Sequence, residues 1–207
     1  MIEAPNLAEF PWLRHGFGLR DTVFTDQLTT VRQIHSNIVI NAEAAELEPE
    51  GDALISNRAA VVVAVKTADC VPILLVDPIT HSVAAIHAGW RGTAAQIVAA
   101  AVNQLATHWN VRAKDLRAAI GPSIGKCCYE VGPDVARHFG TWVPELNDID
   151  TPVHIDLPAI NEAQLREAGV SDVWISRECT FCAPQRFYSF RREREQSGRM
   201  FSFIGLR

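Results

Sequence analysis

The run AVVVAVKTADCVPILLVDPITHSVAAIHAGWRGT, residues 60–93, decides the fold class of this 207-residue chain. Three apolar stretches follow one another closely in it: AVVVAV at 60–65, VPILLV at 71–76 and SVAAI at 82–86. They are short, rich in β-branched residues and apolar at consecutive positions, which is the pattern of interior strands covered on both faces. Asp77-Pro78-Ile79-Thr80 separates the last two as a tight turn with proline at its second position. Lys66 and Asp69 interrupt the apolar run well short of a membrane-spanning length, so no membrane partner is expected.

Beyond Thr93 the period changes. Ile97, Ala101, Leu105 and Trp109 recur every four residues in an alanine-rich stretch, predicting one helix that starts near Thr93. A strand is expected at 116–121 (LRAAIG), then a loop rich in glycine, proline and cysteine (GPSIGKCCYEVGP), then a short helix near 133–140. Asp156 caps a further helix, with Pro158 early in it and Gly169 at its end. Short strands at DVWIS and FSFIG close the fold, and IVIN after His35 is β-like. The acidic stretch from Glu43 to Glu50 is expected to be a solvated loop or short helix. Strands that neighbour one another as hairpins and also neighbour helices predict a mixed sheet. No repeat or linker breaks the chain, so residues 1–207 are expected to form one domain.

Composition narrows the function. A hydrophobic content of 48%, a charged content of 21% and a net charge of −5 describe a globular protein without an evident surface for nucleic acid. The opening MIEAPNLAEF carries Glu3 and Glu9 and does not read as a signal peptide, so a cytoplasmic location is expected, with a monomer favoured. Five cysteines in such a chain suggest thiols or metal ligands rather than a disulfide framework. The seven histidines include no pair separated by one residue, a poor supply for a blue copper with a trinuclear cluster.

Several segments carry chemistry. In AIHAGWRGT the strand delivers His87 to its end, and Gly89 and Gly92 allow a sharp turn into the following helix. The helix start near Thr93, with Arg91 beside it, is a candidate anion site; the alternative is that His87 and Trp90 are core residues and Arg91 a surface ion. Cys70 stands at the mouth of VPILLV, and His35 follows Gln33 in RQIHSN. One thiol and two imidazoles, each at the edge of an expected strand, match the softness of zinc, and three ligands leave a fourth position for water or substrate. Spacings of 35 and 17 residues are too irregular to establish such a site by themselves.

Two further groups stay open. Cys127, Cys128, Cys179 and Cys182 offer a rival structural zinc site of four thiolates, although adjacent cysteines tend to point apart. Cys127 and Cys128 are alternatively pocket residues beside Tyr129 and Glu130. Late in the chain, FYSFRRE and SGR place Arg191, Arg192 and Arg199 either on a solvated face or toward an anion.

Taken together, HGF at 15–17, QIHS at 33–36, TADCVPILL at 67–75, HAGWRG at 87–92, IGPSIGKCCYEVG at 120–132, DLPAIN at 156–161, and CTF with YSFRRE and GR resemble the multicopper polyphenol oxidase (laccase-domain) family, which is also described as purine nucleoside phosphorylases and as a peptidoglycan editing factor. The resemblance implies a single α/β (α+β) domain with a central mixed β-sandwich flanked by helices. It implies a zinc site of His35, Cys70 and His87, with copper a less favoured occupant, and a substrate site drawing on Gln33, Arg91, Thr93, Cys128, Tyr129 and Arg192. A likeness of the fold to deamidating toxins also keeps a nucleophilic Cys70 in view. Two features depart from the family pattern: Ser36 stands where glycine is usual, and the segment between HGF and QIHS is short.

The activity this implies first is zinc-dependent phosphorolysis of purine nucleosides, with phosphate as co-substrate and adenosine deamination as a second activity. An amidohydrolase editing amino acids on nucleotide-linked muramyl precursors is the alternative. Copper polyphenol oxidation ranks below both, as does a non-catalytic binding module built round a saturated metal.

Overall fold

Strands that are apolar at every position need cover on both faces, and the computed structural model, which describes residues 1–25, 27–43 and 48–207, provides it. Residues 44–47 of the acidic stretch lie outside the described residues. The strands are β1 (Leu13–Phe17), β2 (Val39–Asn41), β3 (Ala53–Ser56), β4 (Val62–Thr67), β5 (Val71–Asp77), β6 (Ser82–Ala88), β7 (Arg117–Ile120), β8 (Glu130–Val131), β9 (Val153–His154), β10 (Asp172–Ile175) and β11 (Met200–Leu206). The helices are α1 (Pro5–Ala8), α2 (Trp90–Ala94), α3 (Ile97–Trp109), α4 (Pro133–Ala136), α5 (Leu157–Glu167) and α6 (Phe190–Glu193).

Six strands form a mixed sheet in the order β10-β7-β5-β6-β3-β2, and three form a second sheet in the order β1-β11-β4. The outer pairs β10–β7 and β2–β3 are parallel, while β5 is antiparallel to both its neighbours. Alternation along β5 explains the unbroken apolar runs. Val71, Ile73 and Leu75 face the core that contains Ile97, Ala101 and Leu105 of α3 and Leu165 of α5. Leu74 and Val76 face the other way, onto Val63, Val65 and Ile204 of the three-stranded sheet. The result is a mixed β-sandwich with helices packed on the outer face of its larger sheet.

The turn at residues 77–80 closes the β5–β6 hairpin. The Asp77 carboxylate accepts from the Ile79 and Thr80 amides and, at 2.6 Å, from the Thr80 hydroxyl. This hairpin sets the register from Val71 opposite Ala88 to Asp77 opposite Ser82. Cys70, one residue before β5, and His87, one before the end of β6, are thereby brought side by side across a gap of 17 residues in sequence.

The helix expected to run from Thr93 is two helices. α2 begins at Trp90, and a left-handed Gln96 (φ 56°) turns the chain before α3 starts at Ile97. Thr93 lies inside α2, fully buried. Its amide donates to the Gly89 carbonyl, its hydroxyl accepts from Asn161, and its carbonyl accepts from Gln164 of α5. The two side-chain bonds tie α2 to α5. The helix capped by Asp156 is present, with the carboxylate accepting from the Ala159 amide at 3.0 Å, and Gly169 takes φ +95° just past its end. Among the described residues no helix is long and apolar enough to cross a membrane.

A strand covered on both faces makes a specific prediction. Leu74→Ala and Leu75→Ala should each lower unfolding stability by about 2–5 kcal/mol in urea titrations, because each leaves a cavity in a packed layer. A strand with one solvated face would show the loss for only one of the pair.

Candidate metal centre and cavity

The hairpin register also places a carboxylate. β3 runs antiparallel to β6 with Ala53 opposite Ile86, so Asp52 enters the sheet next to His87, and the His87 amide donates to the Asp52 carbonyl at 2.7 Å. The Asp52 side chain is fully buried. It accepts from the amides of Ile34 (3.3 Å), His35 (3.0 Å) and Ser36 (2.6 Å), from the Ser36 hydroxyl (2.8 Å), and pairs with His87 Nδ1 at 2.8 Å. Burial alone would favour the protonated acid. Hydrogen bonds from His87 and Ser36, together with the charge on His87, outweigh it and hold Asp52 at about 2.

One carboxylate therefore fixes two histidines. It orients the His87 ring through Nδ1, leaving Nε2 for another partner, and it clamps the loop that presents His35. His35 sits in the left-handed region (φ 61°), a conformation costly for a residue with a Cβ and sustained by the bonds its loop makes to Asp52. Ser36, where the family pattern has glycine, does not disturb this turn. Its hydroxyl adds a bond to Asp52 and accepts from the Ile38 amide.

His35, Cys70 and His87 each offer one donor atom, and the three atoms lie within 4.8 Å of one another. The two imidazole rings meet edge to face, 4.9 Å between centroids. Burial on its own raises the Cys70 thiol, but the charge of His87 and hydrogen bonds from both histidines bring it down to about 6. For His87, burial acts to lower the pKa, while the Cys70 charge and the Asp52 bond raise it to about 9. A thiol that ionises this readily suits a soft metal, and a carboxylate behind a histidine is the usual outer support of a metal ligand. Gly89 packs closely here: a Cβ there would stand 3.1 Å from the His35 ring and 3.2 Å from Cys70 Sγ, so these side chains would have to shift by a few tenths of an ångström to admit one.

These donors lie at a cavity of ≈ 710 Å³, which Gln33 and Tyr129 also line. Gln33 uses both ends of its amide on the Lys66 backbone, at 2.8 Å each, and so pins the His35 loop to β4. Burial and the nearby Cys70 charge push the Tyr129 phenol up to about 12, so it stays a hydrogen-bond donor at neutral pH. Among the described residues, five cations, Arg32, Lys66, Arg191, Arg194 and Arg199, line the same cavity, against one acid, Asp69.

Four residues expected to contact substrate are not among those that line this cavity. Arg91 is exposed and lies over the Trp90 ring at 4.3 Å; Trp90 lines the cavity and Arg91 itself does not. Thr93 is sealed between α2 and α5, so neither its amide nor its hydroxyl forms the anticipated anion site. Cys128 belongs to a separate group of thiols. Arg192 turns inward, donating to the carbonyls of Thr180, Phe181 and Phe187 and pairing with Glu193. Its neighbours Arg191 and Arg194 take the cavity positions instead.

Two carboxylates were not singled out in the sequence. Asp52 had a signal, an acid after Gly51 that opens the buried segment DALIS. Asp69 is the other, buried and left-handed (φ 89°). It accepts from the hydroxyls of Thr180 (2.7 Å) and Ser189 (3.0 Å) and from the Arg191 amide (2.6 Å). It thus fastens the C-terminal segment, with its arginines, next to Cys70.

Fold and site define an α/β sandwich protein with two histidines and a cysteine that could hold a metal ion, beside a cation-lined cavity. The chain belongs to the family described as multi-copper polyphenol oxidoreductase laccase, whose sequence model matches residues 18–207. It is 41% identical over 186 residues to a purine nucleoside phosphorylase of Deinococcus radiodurans, covering 87% of this chain and 71% of that one. It is 39% identical over 197 residues to adenosine deaminase RL5 from an unknown prokaryotic organism, covering 86% and 75%. Among solved structures, YlmD from Geobacillus stearothermophilus is similar with a TM-score of 0.80 and 32% identity, covering 88% of this chain and 74% of that one.

Asp52→Asn replaces one acceptor oxygen by an NH2 group that faces donors. Affinity for added zinc ion, measured against a competing chelator, should fall about 10–100-fold, the usual consequence of losing the partner behind a ligating histidine. An unchanged affinity would mean that Asp52 supports only the loop.

Proposed function

We propose that the chain is a zinc-dependent purine nucleoside phosphorylase, converting a purine nucleoside and phosphate into free base and ribose 1-phosphate. The observation that carries this reading is the conjunction of a two-imidazole, one-thiolate ligand set with a cavity bearing five cations and one acid. That donor set matches zinc in softness and leaves a coordination position open. When bound, zinc supplies Lewis-acid polarisation at this end of the cavity.

The remaining work falls to the chain's own residues. Phosphate is an anion of charge near −2 that needs several donors to hold it in place, and Lys66, Arg191, Arg194 and Arg199 supply ammonium and guanidinium groups for that task. A phosphate oxygen held there attacks the anomeric carbon as the bond from that carbon to the base nitrogen breaks, so the sugar passes to phosphate and the base leaves. Trp90, Tyr129 and Phe190 give the cavity flat apolar surface suited to a purine ring. Tyr129, protonated at neutral pH, donates a hydrogen bond to substrate. His87, held through Nδ1 by Asp52, and His35, held by its loop, keep the ligand set in place while substrates exchange. Adenosine deamination is a second activity of the same centre, supported by the relative that bears that name.

The test is an assay with adenosine and inosine, with and without phosphate, following base, sugar phosphate and ammonia. Base release should depend on phosphate, and His87→Ala should reduce it by about 100-fold or more, the upper scale for disturbing even the outer support of a metal ligand. Base release that proceeds equally without phosphate would sink the phosphorolysis. Release of an amino acid from a nucleotide-linked muramyl precursor, with nucleosides untouched, would replace the reading by the amidohydrolase.

A further inference from the structure

Away from the cavity donors, the structure gathers the other four cysteines. Cys127 and Cys128 lie in the turn between β7 and β8, and Cys179 and Cys182 lie in the segment between β10 and α6. Their four sulfur atoms lie within 4.8 Å of one another. The geometry points to a second metal centre: a closed, four-thiolate zinc site formed by Cys127, Cys128, Cys179 and Cys182, with a structural role distinct from the cavity.

Distances favour a shared metal over disulfides. Cys182 Sγ is 3.6 Å from Cys127 Sγ and 3.4 Å from Cys128 Sγ. A disulfide requires a separation of about 2.05 Å. Four sulfurs arranged tetrahedrally about one zinc at about 2.3 Å stand about 3.8 Å apart, close to what is observed. The expectation that adjacent cysteines diverge holds for a strand, where successive side chains alternate. Here residues 126–128 form a turn, and both thiols reach the same partner.

The surroundings are those of a ligating loop. The Gly125 amide donates to Cys179 Sγ at 3.3 Å, a bond that favours the thiolate. Gly125 packs against the group as well: a Cβ there would stand 3.3 Å from Cys179 Cβ and 3.4 Å from Cys127 Sγ. Four soft donors select zinc among abundant divalent ions, and with all four positions filled no vacancy remains for substrate.

The role follows from what the two segments carry. The first bears Ile124 and Tyr129 on the cavity wall, and the second leads into Phe190 and Arg191. Apart from the sulfurs, they are joined by the Ser123–Cys179 bridge, with Ser123 accepting from the Thr180 amide, and through Asp69. A metal joining residues more than 50 positions apart would lock that wall together.

The experiment is metal and thiol counting on three proteins: the wild-type chain, His87→Ala, which disables the cavity set, and the double variant Cys179→Ser/Cys182→Ser. Zinc supplied during purification should be retained at two equivalents by wild type and one by each variant. Cobalt added to metal-free His87→Ala should produce intense thiolate-to-cobalt absorption that saturates at one equivalent and protects four thiols from a thiol reagent. If folded, reduced His87→Ala binds no metal and exposes four reactive thiols, the proposal is overturned. It is overturned equally if that protein, before reduction, has a mass showing disulfides among these cysteines. Should the double variant not fold, the His87→Ala measurements decide alone.

Discussion

A single buried carboxylate, Asp52, holds His87 and the loop around His35 in order. Ionised and removed from water, such a group persists only where donors surround it. Asp52 meets that condition with three backbone amides, one hydroxyl and one imidazole, and every one of those donors belongs to His87 or to the loop around His35. The requirement to satisfy the charge and the requirement to position the ligands are thus met by the same bonds. The β3–β6 register makes this coincidence obligatory, because it sets Asp52 next to His87 whatever else the loop does.

Asp69 plays the corresponding part on the opposite side of Cys70. Its bonds draw Thr180, Ser189 and Arg191 against the start of β5, so that the last third of the chain completes a cavity whose floor comes from the middle. Both carboxylates accompany unfavourable backbone. Asp69 is itself left-handed, as are His35 and, on the cavity wall, Arg194. Strain at residues with side chains persists where surrounding bonds over-determine the conformation. Of the nine non-glycine residues with positive φ among the described residues, these three line the cavity.

The elements that local chemistry controls were legible beforehand. The β5–β6 hairpin was visible in two apolar runs around Asp77-Pro78, and the Asp156 cap was visible before Pro158. His35, Cys70 and His87 could be proposed as a set because each was expected at the edge of a strand, although His35 lies in the loop before β2. The break at Gln96 could not be seen, since Ile97, Ala101 and Leu105 keep a helical spacing that would suit one long helix. What is seen only in the structure is the left-handed Gln96 after α2 and the bonds from Asn161 and Gln164, 68 and 71 positions away, that hold Thr93 against α5. The arginines were equally ambiguous: Arg191 and Arg192 are neighbours, yet one faces the cavity and the other is taken up by three inward carbonyls.

By itself, the sequence determined the central strands β4 to β7 and the course of α3 and α5, that the central strands are covered on both faces, and which residue types are available to bind a metal. These follow from period, propensity and turn chemistry, which act over a few residues. Tertiary structure decided how those residues combine: that Asp52 stands behind His87, that Asp69 retains the arginine segment, that Thr93 is core, and that adjacent Cys127 and Cys128 converge on Cys182. Such pairings depend on sheet register and on turns meeting across long stretches of chain, and no local pattern carries that information.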